Sequence, residues 1–269
     1  MKTDRPMALV TGATRPGRVG MAIAEELARR GCDLVLTHRH GKRPIGKGRA
    51  ELAAAERGLA VLGATVQFEH VELDQPGRVD AWAGGLAGRL ERLDVLVHNA
   101  SIYQATPLKS VKAGQAHEAF TINAVAPLLI SRALAKVLAA SPLRSPSGTR
   151  MGGAIVTMCD IHAMGELGQS RTNFVAYSMS KAALLELTLV LARELAPKVR
   201  VNAVAPGVVA FATDGYESDA AMQAKYLSRV PLGRAGTPRE AAEAVAWLAL
   251  EASYCTGQVI RVDGGRAIT

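Results

Sequence analysis

Short apolar runs alternating with longer stretches of helical periodicity limit the fold of this chain more than any other feature. The runs lie at Ala8 to Thr11, Asp33 to Thr37, Thr65 to Val71, Asp94 to His98, Ala154 to Met158, Val199 to Ala205 and Val259 to Val262. Helical patterns fill the intervals at Val19 to Arg30, Arg49 to Leu62, Arg78 to Leu90, Ala116 to Ala140, Phe174 to Leu195 and Pro238 to Glu251. Strands spaced by helices feed a parallel sheet, because a parallel neighbour needs a crossover long enough to hold a helix. The pattern predicts one α/β domain spanning residues 1–269: a Rossmann-type, doubly wound parallel sheet of about seven strands with helices on both faces. A chain of 269 residues can bury one such core. Hydrophobic residues make up 49% and aromatics only 4%, so Ala, Val, Leu and Ile must fill it, as strands covered on both faces require. Ser141 to Thr149 reads as a surface loop rather than a linker, since the strand after it completes the same sheet. Gly207 to Leu232 has weak periodicity beyond a strand's carboxyl end, where a substrate-covering lobe is expected.

Composition narrows the partners. The formal net charge of +8 raises nucleic acid as one. Arg39, Lys42, Arg43, Lys47 and Arg49 form an acid-free stretch, but Gly41, Gly46 and Gly48 interleave it where a nucleic-acid surface would carry aromatics. After a strand of a nucleotide-binding unit, such a stretch suits the phosphate of a small cofactor, or a solvated loop at Lys42, Arg43 and Lys47. No nucleic-acid partner is expected. The first ten residues hold only a four-residue apolar run, too short for a signal peptide, and no later segment is expected to span a membrane. A cytoplasmic protein without a membrane partner is the expectation. Cys32, Cys159 and Cys255 are scattered and the six histidines lack ligand spacing, so neither a disulfide nor a metal is expected.

The stretch from Thr11 to Gly20, Thr-Gly-Ala-Thr-Arg-Pro-Gly-Arg-Val-Gly, joins the first strand to the first helix. Its glycines let the backbone approach a pyrophosphate, whose charge the helix N-terminus stabilises. Thr37-His38-Arg39-His40 closes the second strand without the carboxylate that accepts hydrogen bonds from the adenosine ribose in an NAD site. Arg39 offers instead a permanent planar cation for a 2′-phosphate, and Arg18 can reach the cofactor phosphates from the other side. NADP(H) is the expected cofactor.

Tyr177 and Lys181 stand four positions apart on a helical stretch, which puts a phenol and an ammonium on one face. Tyrosine in water keeps its proton to about pH 10, but a neighbouring cation favours the phenolate and makes the phenol a usable proton donor near neutrality. Taken in order, Thr11-Gly12, Gly20, Asp74, Asn99-Ala100, Asn123, Tyr177, Lys181 and Pro206-Gly207 resemble the short-chain dehydrogenase/reductase family over nearly the whole chain. The resemblance implies hydride transfer from the cofactor with Tyr177 supplying the proton. Lys181 would also bond the nicotinamide ribose, and Asn123 would hold a water linking Lys181 to solvent. Gly12, Val19 and Gly20 would contact the dinucleotide, His38 and His40 would bind the cofactor beside Arg39, and Asp74 would bond the adenine amino group. Asn99, Ala100 and Ser101 would line the nicotinamide side, with Pro206 and Gly207 beside the carboxamide. Asp74 as a helix N-cap and Asn123 as a polar kink in a buried helix are the other readings of those residues. Members of the family usually form tetramers, and a homotetramer is expected through the helices Ala116 to Ala140 and Phe174 to Leu195.

Three departures from the family pattern stand out. The glycine turn is two residues longer than usual, and Ile161 to Val175 is also extended. The fifth strand ends at Asp160, where most members carry serine. A serine can only hydrogen-bond a carbonyl oxygen, whereas an aspartate can carry a proton or pair with the amidine-like N–H groups of a pterin. The run Asn99 to Leu108 resembles the pteridine-reductase branch, in which an aromatic at the place of Tyr103 stacks the substrate against nicotinamide. Arg18 would face a pterin carbonyl. The expectation is an NADPH-dependent pteridine reductase acting on a small-molecule C=N bond. Asp160, Tyr177, Lys181 and Asn123 would form its catalytic set, and Arg18, Ser101, Tyr103, Asp160 and Tyr177 would meet the substrate. The alternatives are a carbonyl reductase of the oxoacyl or steroid type, in which Asp160 merely replaces serine or lies at the surface, and a non-catalytic NADP-sensing protein.

Overall fold

The computed structural model describes residues 5–41, 43–163, 172–209 and 219–269. Strands β1 (Met7–Val10), β2 (Asp33–His38), β3 (Val66–His70), β4 (Val95–His98), β5 (Gly153–Met158), β6 (Val199–Pro206) and β7 (Val259–Val262) form one sheet in the order β3-β2-β1-β4-β5-β6-β7. Every neighbouring pair is parallel. The order reverses beside β1, which pairs β2 on one side and β4 on the other. All carboxyl ends therefore lie along one edge, with a crevice between β1 and β4.

Alternate residues of the central strands feed two apolar cores. Ala8, Val10, Leu34, Leu36, Val95, Val97 and Val156 face one core, which α1 (Val19–Arg29), α2 (Gly46–Val61) and α8 (Pro238–Leu250) cover. Leu9, Val35, Leu96, Ile155, Val199 and Val201 face the other, covered by α3 (Pro76–Arg89), α5 (Ala126–Ala139) and part of α6 (Val175–Glu194). Sealing both faces makes these strands apolar at most positions, and each fully buried Leu or Ile stabilises the fold by about 1.5–3 kcal/mol.

The helix expected over Ala116 to Ala140 is broken into α4 (Ala113–Phe120), a π turn (Thr121–Val125) and α5. Pro127 has no N–H to give the Asn123 carbonyl one turn back, so the ladder widens there. Asp74 is not a helix cap: Gln75 takes that place and Asp74 stays exposed in the preceding turn. Part of the segment without clear periodicity forms α7 (Ala220–Leu227), whose N-cap Asp219 accepts a 2.7 Å bond from the Met222 amide. Residues 210–218 of that segment, much of the extended stretch after Asp160, and Lys42 lie outside the described residues. Contrary to the sequence expectation, Ala113–Ala139 and Val175–Glu194 are long and apolar enough to cross a membrane by length and hydropathy. In this fold they pack against the sheet and each other, with Ile130, Leu134, Leu138, Leu184 and Leu191 buried.

Candidate active site

The crevice between β1 and β4 is held closed by two side chains. Thr11 Oγ1 donates to the Val97 carbonyl at 3.3 Å and accepts from the Asn99 and Ala100 amides, both at 3.0 Å. Asn99 Nδ2 returns bonds to the Thr11 and Gly12 carbonyls at 2.9 and 3.1 Å. The Gly12 amide donates to Thr37 Oγ1 at 3.0 Å, tying in β2. Gly12 has φ +68, and a Cβ there would sit 3.0 Å from Ala100. At Gly20 a Cβ would lie 2.5 Å from the Gly12 carbonyl oxygen and inside contact distance of Asn99 Nδ2. Backbone fills the space that side chains would otherwise take, so the loop forms a cradle narrow and polar enough for a pyrophosphate. The two extra residues resolve into a turn: Arg18 N donates to Arg15 O, with Pro16 at the second position and Gly17, φ +71, at the third. Pro followed by a left-handed Gly is the sequence a type II turn requires. It delivers the chain into α1 with Val19 as first residue and Arg18 as its exposed N-cap. No hydrogen bond among the described residues brings Arg18 to Tyr103, Asp160 or Tyr177.

At the adenosine end the three candidates separate. Arg39 is exposed, whereas His38 is buried and its Nδ1 accepts from the His40 amide at 3.3 Å. Burial holds the His38 imidazole below its ordinary pKa, and the neighbouring His40 and His70 add to the effect. His38 is thus a neutral, inward residue rather than a phosphate ligand. His40 stacks on it at 5.7 Å, with Nε2 3.1 Å from Glu51 Oε2. Asp74 is exposed beyond the end of β3. Gly207 donates to the Val262 carbonyl at 3.0 Å, and a Cβ on it would meet Asp263 and the Tyr226 hydroxyl. Pro206 closes β6 beside it.

The catalytic candidates converge past the ends of β4 and β5. Asp160 opens the short 3₁₀ turn Ile161–Ala163, and its Oδ1 accepts from the His162 amide at 2.7 Å. Tyr177 Oη donates to Asp160 Oδ2 at 2.8 Å. Both carboxylate oxygens are therefore held, and Asp160 is not a surface residue turned to solvent. Lys181 is buried one turn along α6, its Nζ donating to the Met158 carbonyl at 2.6 Å and lying 5.9 Å from the Tyr177 ring centre. Burial pulls its pKa down, opposed by Cys159 and Asp160.

The Asn123 side chain is committed to bonds within the protein. Its Nδ2 donates to the Ile102 carbonyl at 3.1 Å and to Ser180 Oγ at 2.8 Å, while Oδ1 accepts from the Ile102 amide at 2.9 Å. With both donors used, the side chain fastens the β4–α4 segment to α6. A water linking Lys181 to solvent would have to rest on backbone rather than on this amide. Ser101 is exposed, its hydroxyl 3.4 Å from the Ile102 carbonyl. Tyr103 stacks on Phe174 at 4.7 Å and meets the Tyr177 ring edge-on at 4.9 Å. The Phe174 ring escaped the sequence reading, since an aromatic three residues before a tyrosine on an apolar helix looks like packing. The Thr37 and Ser180 hydroxyls were equally silent, because nothing local marks a hydroxyl whose partner is 25 or more residues away.

A family profile described as enoyl-(acyl carrier protein) reductase matches residues 12–267. The chain belongs to the short-chain dehydrogenase/reductase family. It is an oxidoreductase. The 3-oxoacyl-[acyl-carrier-protein] reductase FabG of Aquifex aeolicus is 33% identical over 267 residues, covering 98% of each chain. Among solved structures, a provisionally assigned NAD(P)-dependent gluconate 5-dehydrogenase from Beutenbergia cavernae, with NADP at low occupancy, is 32% identical with TM-score 0.84, covering 98% of this chain and 97% of its own. A blue fluorescent protein from a metagenomic library, in complex with NADPH, is 28% identical with TM-score 0.80 and covers 97% and 98%.

Proposed function

We propose that this oxidoreductase uses NADPH to reduce a C=N bond of a pterin, with Tyr177 and Asp160 handling the proton. NADPH bound in the cradle would supply the hydride. The cofactor choice is supported by exposed Arg39 in a place without a carboxylate, and by the NADP and NADPH carried by the two structural relatives. Gly12, Val19 and Gly20 would meet the dinucleotide backbone, Asp74 the adenine, and Asn99, Ala100, Ser101, Pro206 and Gly207 the nicotinamide end.

The observation that carries the substrate class is the Tyr177–Asp160 hydrogen bond. An ionised carboxylate accepts hydrogen bonds and repels the oxyanion that grows during carbonyl reduction, so it suits a heterocycle bearing N–H donors. Tyr177 would turn its hydroxyl from Asp160 to the substrate nitrogen and give it the proton, the freed Asp160 oxygen would accept from a ring N–H, and Tyr103 offers a face for a flat ring. A second reading, reduction of an oxoacyl carbonyl, is favoured by the full-length likeness to FabG. On whole-chain likeness alone that reading is the better supported, and Asp160 would then merely stand in for serine. Steady-state NADPH oxidation with dihydrobiopterin, against a panel of ketones and an oxoacyl thioester, separates the two. Turnover of the carbonyl compounds alone would remove the pterin reading. Exposed Leu128, Met179, Leu189 and Val190 on α5 and α6 suit assembly into a homotetramer, which light scattering after gel filtration would measure.

A further inference from the structure

Helix α6 carries Tyr177 and Lys181, yet its own N-cap residue, Phe174, makes no side-chain cap hydrogen bond. The cap comes from another segment. Thr106, only 3% exposed, accepts the Ala176 amide on Oγ1 at 3.1 Å. Its own amide donates to the Asn173 carbonyl at 2.7 Å, and its carbonyl accepts from Val175 at 3.4 Å. Asn173 itself is left-handed, with φ +66, so the chain enters the helix through a conformation that the surroundings must hold in place.

We propose that Thr106 is a positioning residue that locks the first turn of α6 to the loop after β4, so that the Tyr103, Phe174 and Tyr177 rings are placed as one body. The proposal rests on the reading of Tyr177 as proton donor and Tyr103 as stacking surface. Tyr103 lies between two anchors: Asn123 grips both backbone groups of Ile102, and Thr106 is bonded to residues 173, 175 and 176. The stack of Tyr103 on Phe174 and its edge contact with Tyr177 therefore depend on where Thr106 sits. Slippage there would move the stacking ring relative to the donor hydroxyl without disturbing the cradle, whose bonds run through Thr11, Thr37 and Asn99.

The test is Thr106→Val, which keeps the shape and the backbone bonds but removes the acceptor, beside Thr106→Ser, which restores it. Thr106→Ala takes the place of the valine variant if that chain does not fold. NADPH affinity by fluorescence titration, the near-ultraviolet circular dichroism of the aromatic cluster, and kcat and KM for the reduced substrate are measured on each. We expect unchanged NADPH affinity, a weakened near-ultraviolet tyrosine signal and kcat lowered about 10-fold, with serine restoring both. Wild-type kcat and spectrum in Thr106→Val would overturn the positioning role, as would a parallel loss of NADPH binding. Tyr177→Phe measured alongside separates this from the donor reading. Turnover retained in Tyr177→Phe, with the Thr106→Val spectral change still present, removes the donor assignment and leaves the coupling of loop to helix standing.

Discussion

The hydroxyl of Tyr177 donates to one oxygen of Asp160 at 2.8 Å while the other oxygen is held by the His162 amide. The phenol is thus held in a fixed direction. Removing that hydroxyl leaves the cradle intact, so Tyr177→Phe should lower kcat by about 10²–10⁴-fold, the range for a lost general acid. NADPH binding, followed by fluorescence titration, should stay as in the wild type. A phenylalanine enzyme with normal turnover would show that the proton comes from elsewhere.

Gly20 is the tightest point of the cradle, with Asn99 Nδ2 and the Gly12 carbonyl filling the place of a side chain. The Gly12 carbonyl is backbone and the Asn99 amide is pinned by two hydrogen bonds, so Gly20→Ala must push α1 away from the β1 turn. A loss of about 1–3 kcal/mol in urea unfolding is expected, together with loss of NADPH binding. An alanine variant that binds NADPH normally would mean that the cofactor does not use this turn.

Arg39 should decide between the two nicotinamide cofactors. Its truncation to alanine removes a charge-assisted bond to phosphate, worth about 1.5–3 kcal/mol, and should raise the KM for NADPH about 10- to 100-fold. The KM for NADH should not change, because NADH has no phosphate there. Equal effects on both would contradict the assignment.

His98 gives the fold a dependence on pH. It is fully buried against Ser131, Nε2 to Oγ 2.8 Å, and desolvation pushes its pKa down to about 3 from 6.5. Between those values the unfolded chain binds a proton that the folded one refuses, so stability falls as pH drops through that window. At pH 5 the loss from this group is about 2 kcal/mol. Urea midpoints measured at pH 7 and pH 5 should therefore separate less in His98→Asn than in the wild type. Equal separations would mean that His98 is protonated inside the fold.

Much of the architecture is readable in the sequence because two-faced burial writes itself as unbroken apolar runs, as in Leu34, Val35 and Leu36. The pairing order follows once the crossovers are helical. The Pro127 break was invisible to periodicity, since a π turn keeps the apolar face on both sides of it. In the site, Tyr177, Lys181 and Asp160 could be singled out because their chemistry is local to a strand end and a helix face, and the fold brings them together. Asn123 was singled out, but its side-chain partners, Ile102 and Ser180, lie 21 and 57 positions away and nothing local marks them. His38 and Arg39 show the same limit: neighbours on a strand point to opposite faces, and the sequence does not say which one looks outward.

The account turns on the carboxylate at the end of β5, and Asp160→Ser tests it most directly. The ratio of kcat/KM for dihydrobiopterin to that for an oxoacyl thioester or ketone is measured with NADPH in wild type and variant. Loss of the acceptor for a ring N–H, with a hydroxyl donor gained for a carbonyl oxygen, should lower that ratio by about 100-fold, chiefly through the pterin term. A ratio unchanged by the substitution, or a wild type that turns over carbonyl compounds alone, would contradict it.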